Sequence, residues 1–369
     1  MLFLSGCQGL LPNQVLEKEK TGEALPGGDQ YRNPEGDGEF VLPLKAAIAT
    51  LPARNALIAF DTEKGAVTGE IPVGNYPVGL ALDRKEPRKY AYVANYGSNA
   101  ISIVDLQKGL VERFVESGES PWDVAINGEG SYLYAANSGD NTVAVIDIAK
   151  RTRTRKVQFD KSAYPNFRAR EVVTNPAAKD EAFVISDGNS GTDSSPGGTI
   201  VKLNAHQIIG KIMIGTANRL TKGVVTPDGK RLLVTDQGRA VLWTVDLSTF
   251  AAMPITLVSP GYDVVVAPDG ETAYVSMPDI HAVSGVDLVT NIAGIPRASS
   301  AILEDPVEGW HYFPQLLALD ADAQNLWFQS GGSGKLGMYS NISGMQYAKP
   351  STQLRLDVGA PQGDFALIP

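Results

Sequence analysis

Aromatic, arginine, amide and acidic side chains recur at the ends of short apolar runs in this 369-residue chain. Tyr76, Trp122, Tyr262 and Trp310 stand with His311, Arg168 and Arg219, and Asn95, Asn137, Asp187 and Asp236 close neighbouring runs. Rings and guanidinium groups of this kind dominate the energetics of recognition surfaces. They would hold a ligand by stacking and hydrogen bonding; the competing reading is that they pack the end of a core. Acid–base chemistry has fewer candidates. Asp187 and Asp236 are the carboxylates a paired-acid site would use, although nothing in the sequence sets their separation. There is no GxSxG elbow and no HExxH helix. A single Cys excludes disulfide frameworks, CxxC redox sites and Cys-based zinc sites, and three isolated His leave little for metal chemistry.

Three local patterns have a plainer reading beside the chemical one. Asp187, Asn189 and Asp193 place oxygen ligands at alternate positions around a Gly-rich bend, in the manner of a calcium loop. The distal bidentate Glu is missing, and a polar loop running on to Gly198 explains the same residues. No other cofactor is expected. Lys150-Arg-Thr-Arg-Thr-Arg-Lys156 is the one basic run. On a strand its Arg side chains share one face, which either protects a sheet edge or offers a stripe to a polyanion. Gly331-Gly-Ser-Gly-Lys335 lacks the spacing of a phosphate loop and lies between two strands.

Composition bounds the partners. The chain is 43% hydrophobic and 20% charged, as soluble domains are. No run of 18 apolar residues is present, so no spanning helix is expected. A formal net charge of -9 disfavours nucleic acid and direct adhesion to an anionic membrane.

The elements that would position these side chains follow from a repeat. Tyr90-Ala-Tyr-Val-Ala-Asn-Tyr-Gly-Ser-Asn-Ala-Ile-Ser-Ile-Val-Asp105 returns as Tyr132-Leu-Tyr-Ala-Ala-Asn-Ser-Gly-Asp-Asn-Thr-Val-Ala-Val-Ile-Asp147. Looser copies end at Asp61, Asn204, Asp246, Asp287 and near Ser340, in steps of 44, 42, 57, 42, 41 and 53 residues. Several short strands per unit of this length mark a β-propeller. Each unit reads as strands a to d, with turns such as Pro227-Asp-Gly229 and Pro268-Asp-Gly270 between a and b. The end-of-strand Asp recurs in every clear copy, as a structural turn would. Pro361–Pro369 reads as a lone strand a, and Leu44–Thr50 and Asn55–Asp61 as strands b and c of the same blade. The expectation is an all-β, seven-bladed propeller over residues 42–369, closed by its N- and C-terminal strands and monomeric. Six or eight blades are the alternatives. The d–a and b–c loops then share one face, where the aromatic and arginine residues named above gather.

The Tyr-Val-Ala-Asn, Gly-Ser-Asn and Ile-Val-Asp elements resemble the bacterial YVTN repeat family of YncE-like propellers, most clearly over residues 75–150. The resemblance implies a seven-bladed envelope or secreted protein, without an established enzymatic activity in most members. Leu4-Ser-Gly-Cys7 resembles a bacterial lipobox, and it implies lipidation at Cys7 and export to the envelope. Gln8 resembles the outer-membrane sorting pattern. Residues 1–7 would be the remnant of that signal, its basic region lying upstream. Residues 8–41, rich in Gly, Pro and acid, read as a tether. The functional expectation is a lipid-anchored, non-enzymatic protein that recognises a protein, glycan or polyanion on its loop face. The alternative is a propeller enzyme, lactonase-like or quinoprotein-like, with its site at the channel mouth.

Overall fold

The computed structural model describes residues 42–43, 45–84, 89–164, 167–186, 198–214, 219–280, 282–293, 314–320, 322–330, 335–340, 342, 356–357 and 363–368. Cys7, the 8–41 segment, Asp187, Asn189, Asp193, Trp310, His311 and Gly331–Gly334 lie outside them.

Seven four-stranded antiparallel sheets form the blades of a propeller. Six are contiguous in sequence. Blade 1 joins the two ends of the chain: Phe365–Ile368 is its inner strand, followed by Ala46–Leu51, Ala56–Asp61 and Ala66–Pro72. Ala46 pairs with Ile368 and Ala49 with Phe365, so the last strand closes the ring against the first. Closure removes an inner edge that would otherwise template aggregation. The other inner strands are Pro77–Leu82, Pro121–Ile126, Ala169–Thr174, Leu220–Val225, Val264–Val266 and Pro314–Leu319, in blades 2 to 7.

The strands read as continuous apolar runs because both faces of each blade are covered. Alternate side chains of a strand point to opposite faces, and here the faces pack on different neighbours. Ala46 and Ile48 join Leu80, Val93 and Val104 in the seam between blades 1 and 2. Ala47 and Ala49, on the same strand, join Leu316, Trp327 and Leu336 of blade 7. Seven such clusters, one per seam, hold the described ring together.

The recurrent aspartates make corners. Asp61 accepts the N–H groups of Glu63 and Lys64, Asp105 those of Gln107 and Lys108, and Asp246 those of Ser248 and Thr249. Each carboxylate thereby fixes the turn from strand c to strand d. The basic run forms the outer strand of blade 3, Thr152–Gln158, with its start. Arg151 pairs with Glu112 and stacks on Tyr90, Arg153 pairs with Glu116, and Lys156 with Asp140. Two of these partners, Glu112 and Glu116, lie on the outer strand of blade 2.

Candidate functional site

The inner strands are aimed by their entry turns. Tyr76 and Ser120 adopt left-handed backbone, each with φ 52°, just before a proline. Asn55 accepts the Tyr76 N–H at 2.9 Å, and Asn99 accepts the Ser120 N–H at 2.8 Å. One blade therefore clamps the entry of the next. Immediately afterwards the ladder slips. The register breaks between Pro77 and Gly79, Pro121 and Asp123, Ala169 and Glu171, Leu220 and Gly223, and Pro314 and Leu316. A bulge re-aims side chains that strict alternation would send to opposite faces. Here it brings two successive tiers of side chains to the central channel.

The lower tier reads, from blade 1 to blade 7, Asp364, Gly79, Asp123, Glu171, Lys222, Asp263 and Leu316. The Lys222 ammonium lies 2.8 Å from Glu171 in the adjacent blade and 3.9 Å from Asp123 two blades away. Three of the acids also staple seams. Asp123 accepts the Val172 N–H at 2.9 Å, Asp263 the Leu317 N–H at 2.8 Å, and Asp364 the Leu80 N–H at 3.2 Å. Each reaches the inner strand of the following blade, one residue past the tier position. Gly79 is required by closeness: a Cβ there would stand 2.8 Å from the Asp123 Cα and the Trp122 carbonyl oxygen.

Four carboxyl groups stand around the Lys222 ammonium at the base of a cavity, and the Lys222 side chain keeps 19% exposure there. Burial alone would push Lys222 down, yet the charges of Glu171, Asp123, Asp364 and Asp263 outweigh it and hold the ammonium well above its usual range. Glu171, Asp263 and Asp364 move up as well. Burial, reinforced by Asp123, raises Glu171 well above the ordinary value against the pull of Lys222. Burial takes Asp263 to about 6 and Asp364 to about 7, with Lys222 opposing in both cases. These three therefore hold their protons to higher pH than exposed carboxylates do.

Above this floor opens a cavity of about 320 Å³ on the face shared by the d–a and b–c loops. Its walls combine Trp122, Tyr262 and Gln315 of the upper tier with Val78, while Tyr76, Pro52 and Ala53 form the lip. Asp123, Lys222 and Asp364 lie at its base. Tyr76, Tyr96 and Trp122 form an arc, with ring centroids 5.8 and 5.6 Å apart, and the Arg170 guanidinium stands 3.9 Å from the Trp122 ring.

Of the residues singled out from the sequence, Tyr76, Trp122 and Tyr262 line this cavity. Arg168 and Arg219 are exposed at entries to blades 4 and 5. Asn95, Asn137 and Asp236 end the second strands of blades 2, 3 and 5 and are fully buried. Asn95 donates to Ser102, Asn137 bonds Ser117 and Thr142, and Asp236 accepts from the Arg219 N–H and the Trp243 indole. These three hold the loop face together from beneath. The proposed pair Asp187 and Asp236, the calcium loop, Trp310 and His311 involve residues outside the described set.

The floor residues Asp123, Glu171, Lys222, Asp263 and Asp364 escape a reading by residue type. A signal was present: five of the seven inner strands carry a charged residue at or just before the start of the apolar run, as in Trp122-Asp-Val-Ala-Ile126 and Tyr262-Asp-Val-Val-Val266. Aligning the repeats on these runs stacks the charges in one place.

No family model matches the chain, and no curated protein matches it. Solved structures do. A chain of the Kuenenia stuttgartiensis hydrazine synthase superposes with a TM-score of 0.65 at 18% identity, over 87% of this chain and 99% of that one. A functionally unknown protein from Desulfotomaculum acetoxidans gives 0.67 at 14% identity, over 87% and 98%. A protein from Lactobacillus plantarum gives 0.66 at 15% identity, over 88% and 99%. The shared feature is the propeller. At such identities the likeness carries the fold alone, and the chemistry has to be argued from the site.

Proposed function

We propose that this protein is a non-enzymatic binding protein of the cell envelope, tethered through Cys7 and the 8–41 segment, that recognises its partner through the loop face. Its repeats, like those of YncE-like propellers, build a rigid ring on which the loops lose little entropy when a ligand docks. The observation that carries this reading is the axial cavity, concave, walled by Trp122 and Tyr262 and lipped by Tyr76. Concave sites with aromatic walls and a few converging polar groups are where ligands bind. Among the three partner classes, the four floor carboxyls argue against a polyanion seated at the axis.

The enzymatic alternative has one observation in its favour: a carboxyl with a pKa near 7, Asp364, at the base of the cavity. Both oxygens of that carboxyl already accept backbone N–H groups, from Leu80 and Phe365. This occupation favours a structural duty over proton transfer.

Capture from solubilised envelope fractions tests the proposal. Wild type should retain a partner that a Tyr76→Ala/Trp122→Ala variant loses, and Lys230→Ala, on the opposite face, should retain it. Equal capture by all three would refute loop-face recognition. Mass spectrometry of the mature N-terminus tests the lipid on Cys7.

A further inference from the structure

We propose that the axial cavity seats one uncharged sugar ring, the terminal unit of a glycan. This rests on the loop-face reading and names its ligand class. Size is the first argument. A cavity of about 320 Å³ lies at the small end of the ~300–1,000 Å³ typical of small-molecule sites. It suits a single ring better than an inserted protein loop.

The floor is the second argument. A purely anionic well would select a cation, and a purely cationic one a phosphate or sulfate. This floor is neither. Lys222 donates from its centre and the Asp123 carboxyl accepts beside it, with Asp364 a third lining residue at the base. An incoming amine would meet the Lys222 charge, and an incoming anion would meet the carboxyl groups. A polyol carries donor and acceptor on every hydroxyl, and it can satisfy both kinds of group without bringing a charge into a desolvated space.

The walls are the third. Trp122, one ring face of which is covered by the Arg170 guanidinium, and Tyr262 supply aromatic wall, with Gln315 beside them and Tyr76 half exposed at the lip. A sugar ring has the matching faces: C–H groups for the rings, hydroxyl edges for the amide and the floor. The mouth opens where Tyr76 is 51% exposed, so the remaining glycan chain would leave along the Tyr76–Tyr96 arc.

The test is a glycan array spanning the common neutral hexoses, pentoses and N-acetylhexosamines, probed with the full chain. Saturation-transfer NMR then follows with the methyl glycosides of any hits, alongside putrescine and glucose 6-phosphate. The expected result is binding of at least one neutral glycoside and of neither charged probe. Trp122→Ala should weaken the hit by about tenfold or more, as loss of an aromatic anchor does. Gln315→Ala, at another residue lining the cavity, serves as a second variant if Trp122→Ala unfolds. Selective binding of putrescine or of glucose 6-phosphate overturns the inference, as does an array without a neutral hit. If envelope capture still depends on Tyr76 and Trp122 in that case, the loop-face reading survives and only the sugar falls. If capture is also indifferent to those rings, both fall.

Discussion

Carboxylates occur in two recurrent settings in this propeller, the corners of the blades and the axis, and in both they accept backbone N–H bonds. Their protonation moves in opposite directions. At the corner of blade 5, side-chain and backbone donors from Ser248 and Thr249 take Asp246 down to about 2. At the corners of blades 1 and 3, N–H donation from Lys64 and Lys150 lowers Asp61 and Asp147. On the axis, Asp263 and Asp364 receive two N–H bonds each and still rise to about 6 and 7. The donors are alike; the solvent and the neighbours differ. Corner carboxylates stay close to water or to lysines, whereas axial ones lose most of theirs and face one another around Lys222. Hydrogen bonds set where a carboxyl group points, and desolvation with like charge sets whether it is ionised.

The largest effect should come from removing the cation that makes the axis tolerable. Lys222→Met takes the ammonium at 2.8 Å away from Glu171 and at 3.9 Å away from Asp123. Breaking a buried ion pair on one side costs about 3–5 kcal/mol, to be read from urea unfolding near pH 7.5. Lowering the pH to about 5 should restore part of the loss, because the orphaned acids then take up protons. Loss below 1 kcal/mol, or no recovery in acid, would mean that the axis is not electrostatically strained. A corner cation such as Lys64, largely exposed beside Asp61, should give no comparable loss on replacement by Met.

Steric closure of the axis comes next. Gly79 and Gly363 lie on the cavity wall, and a Cβ at Gly363 would come within 2.7 Å of the Val78 Cα. Gly79→Ala should destabilise by about 1–3 kcal/mol, the usual range for overpacking against backbone. It should also narrow the cavity and weaken any ligand seated there. Gly210, on an outer strand with nothing near its Cβ position, should accept Ala without cost.

How these regions differ also explains what the sequence makes legible. Corner aspartates recur with the period, and so do Asn95 and Asn137 at the ends of second strands; repetition exposes them and marks them as parts of the blade. The axial tier repeats in position only. Asp364, Gly79, Asp123, Glu171, Lys222, Asp263 and Leu316 share a place but not a residue type. The ring brings them together from stretches far apart in sequence, and in blades 2, 3, 4, 5 and 7 a register slip falls at this position. Seven blades and the terminal closure were readable because each strand carries its own apolar pattern and the two ends carry complementary parts of one blade. The aromatic wall was half readable: Tyr76, Trp122 and Tyr262 stand out by type, whereas their convergence on a charged floor depends on the register slip. Departure from the repeat, rather than the repeat itself, marks the place where this fold can bind something.

The pH dependence separates the two regions by sign. Asp263 and Asp364 have folded-state values above the ordinary ~4 of an unfolded carboxyl. The folded chain therefore binds more protons than the unfolded one between about pH 4 and 7. Their contribution to stability is present in full below that window and is lost as pH rises through about 6 and 7. Asp364→Asn should flatten this limb of a plot of Tm against pH from 5 to 8, leaving a variant less sensitive to alkali than wild type. A wild-type Tm that rises steadily across that interval, unchanged in slope by the substitution, would contradict a proton-retaining axis.

The smallest effect belongs to the corner. Asp246, lowered to about 2, stabilises the folded state only while ionised, so its share is present above about pH 4 and disappears as the solution is acidified toward pH 2. Asp246→Asn keeps one acceptor for the Ser248 and Thr249 N–H groups and removes the charge. It should lower Tm at pH 7 slightly, and less than any axial substitution described above. Its mark is a limb below pH 4 shallower than that of wild type, the mirror image of the alkaline limb flattened by Asp364→Asn. Combining the two should add their effects without interaction, since the groups lie on opposite faces of the ring and share no partner. Coupling between them would show that corner and axis communicate through the blade, and the independence of the two regions would have to be abandoned.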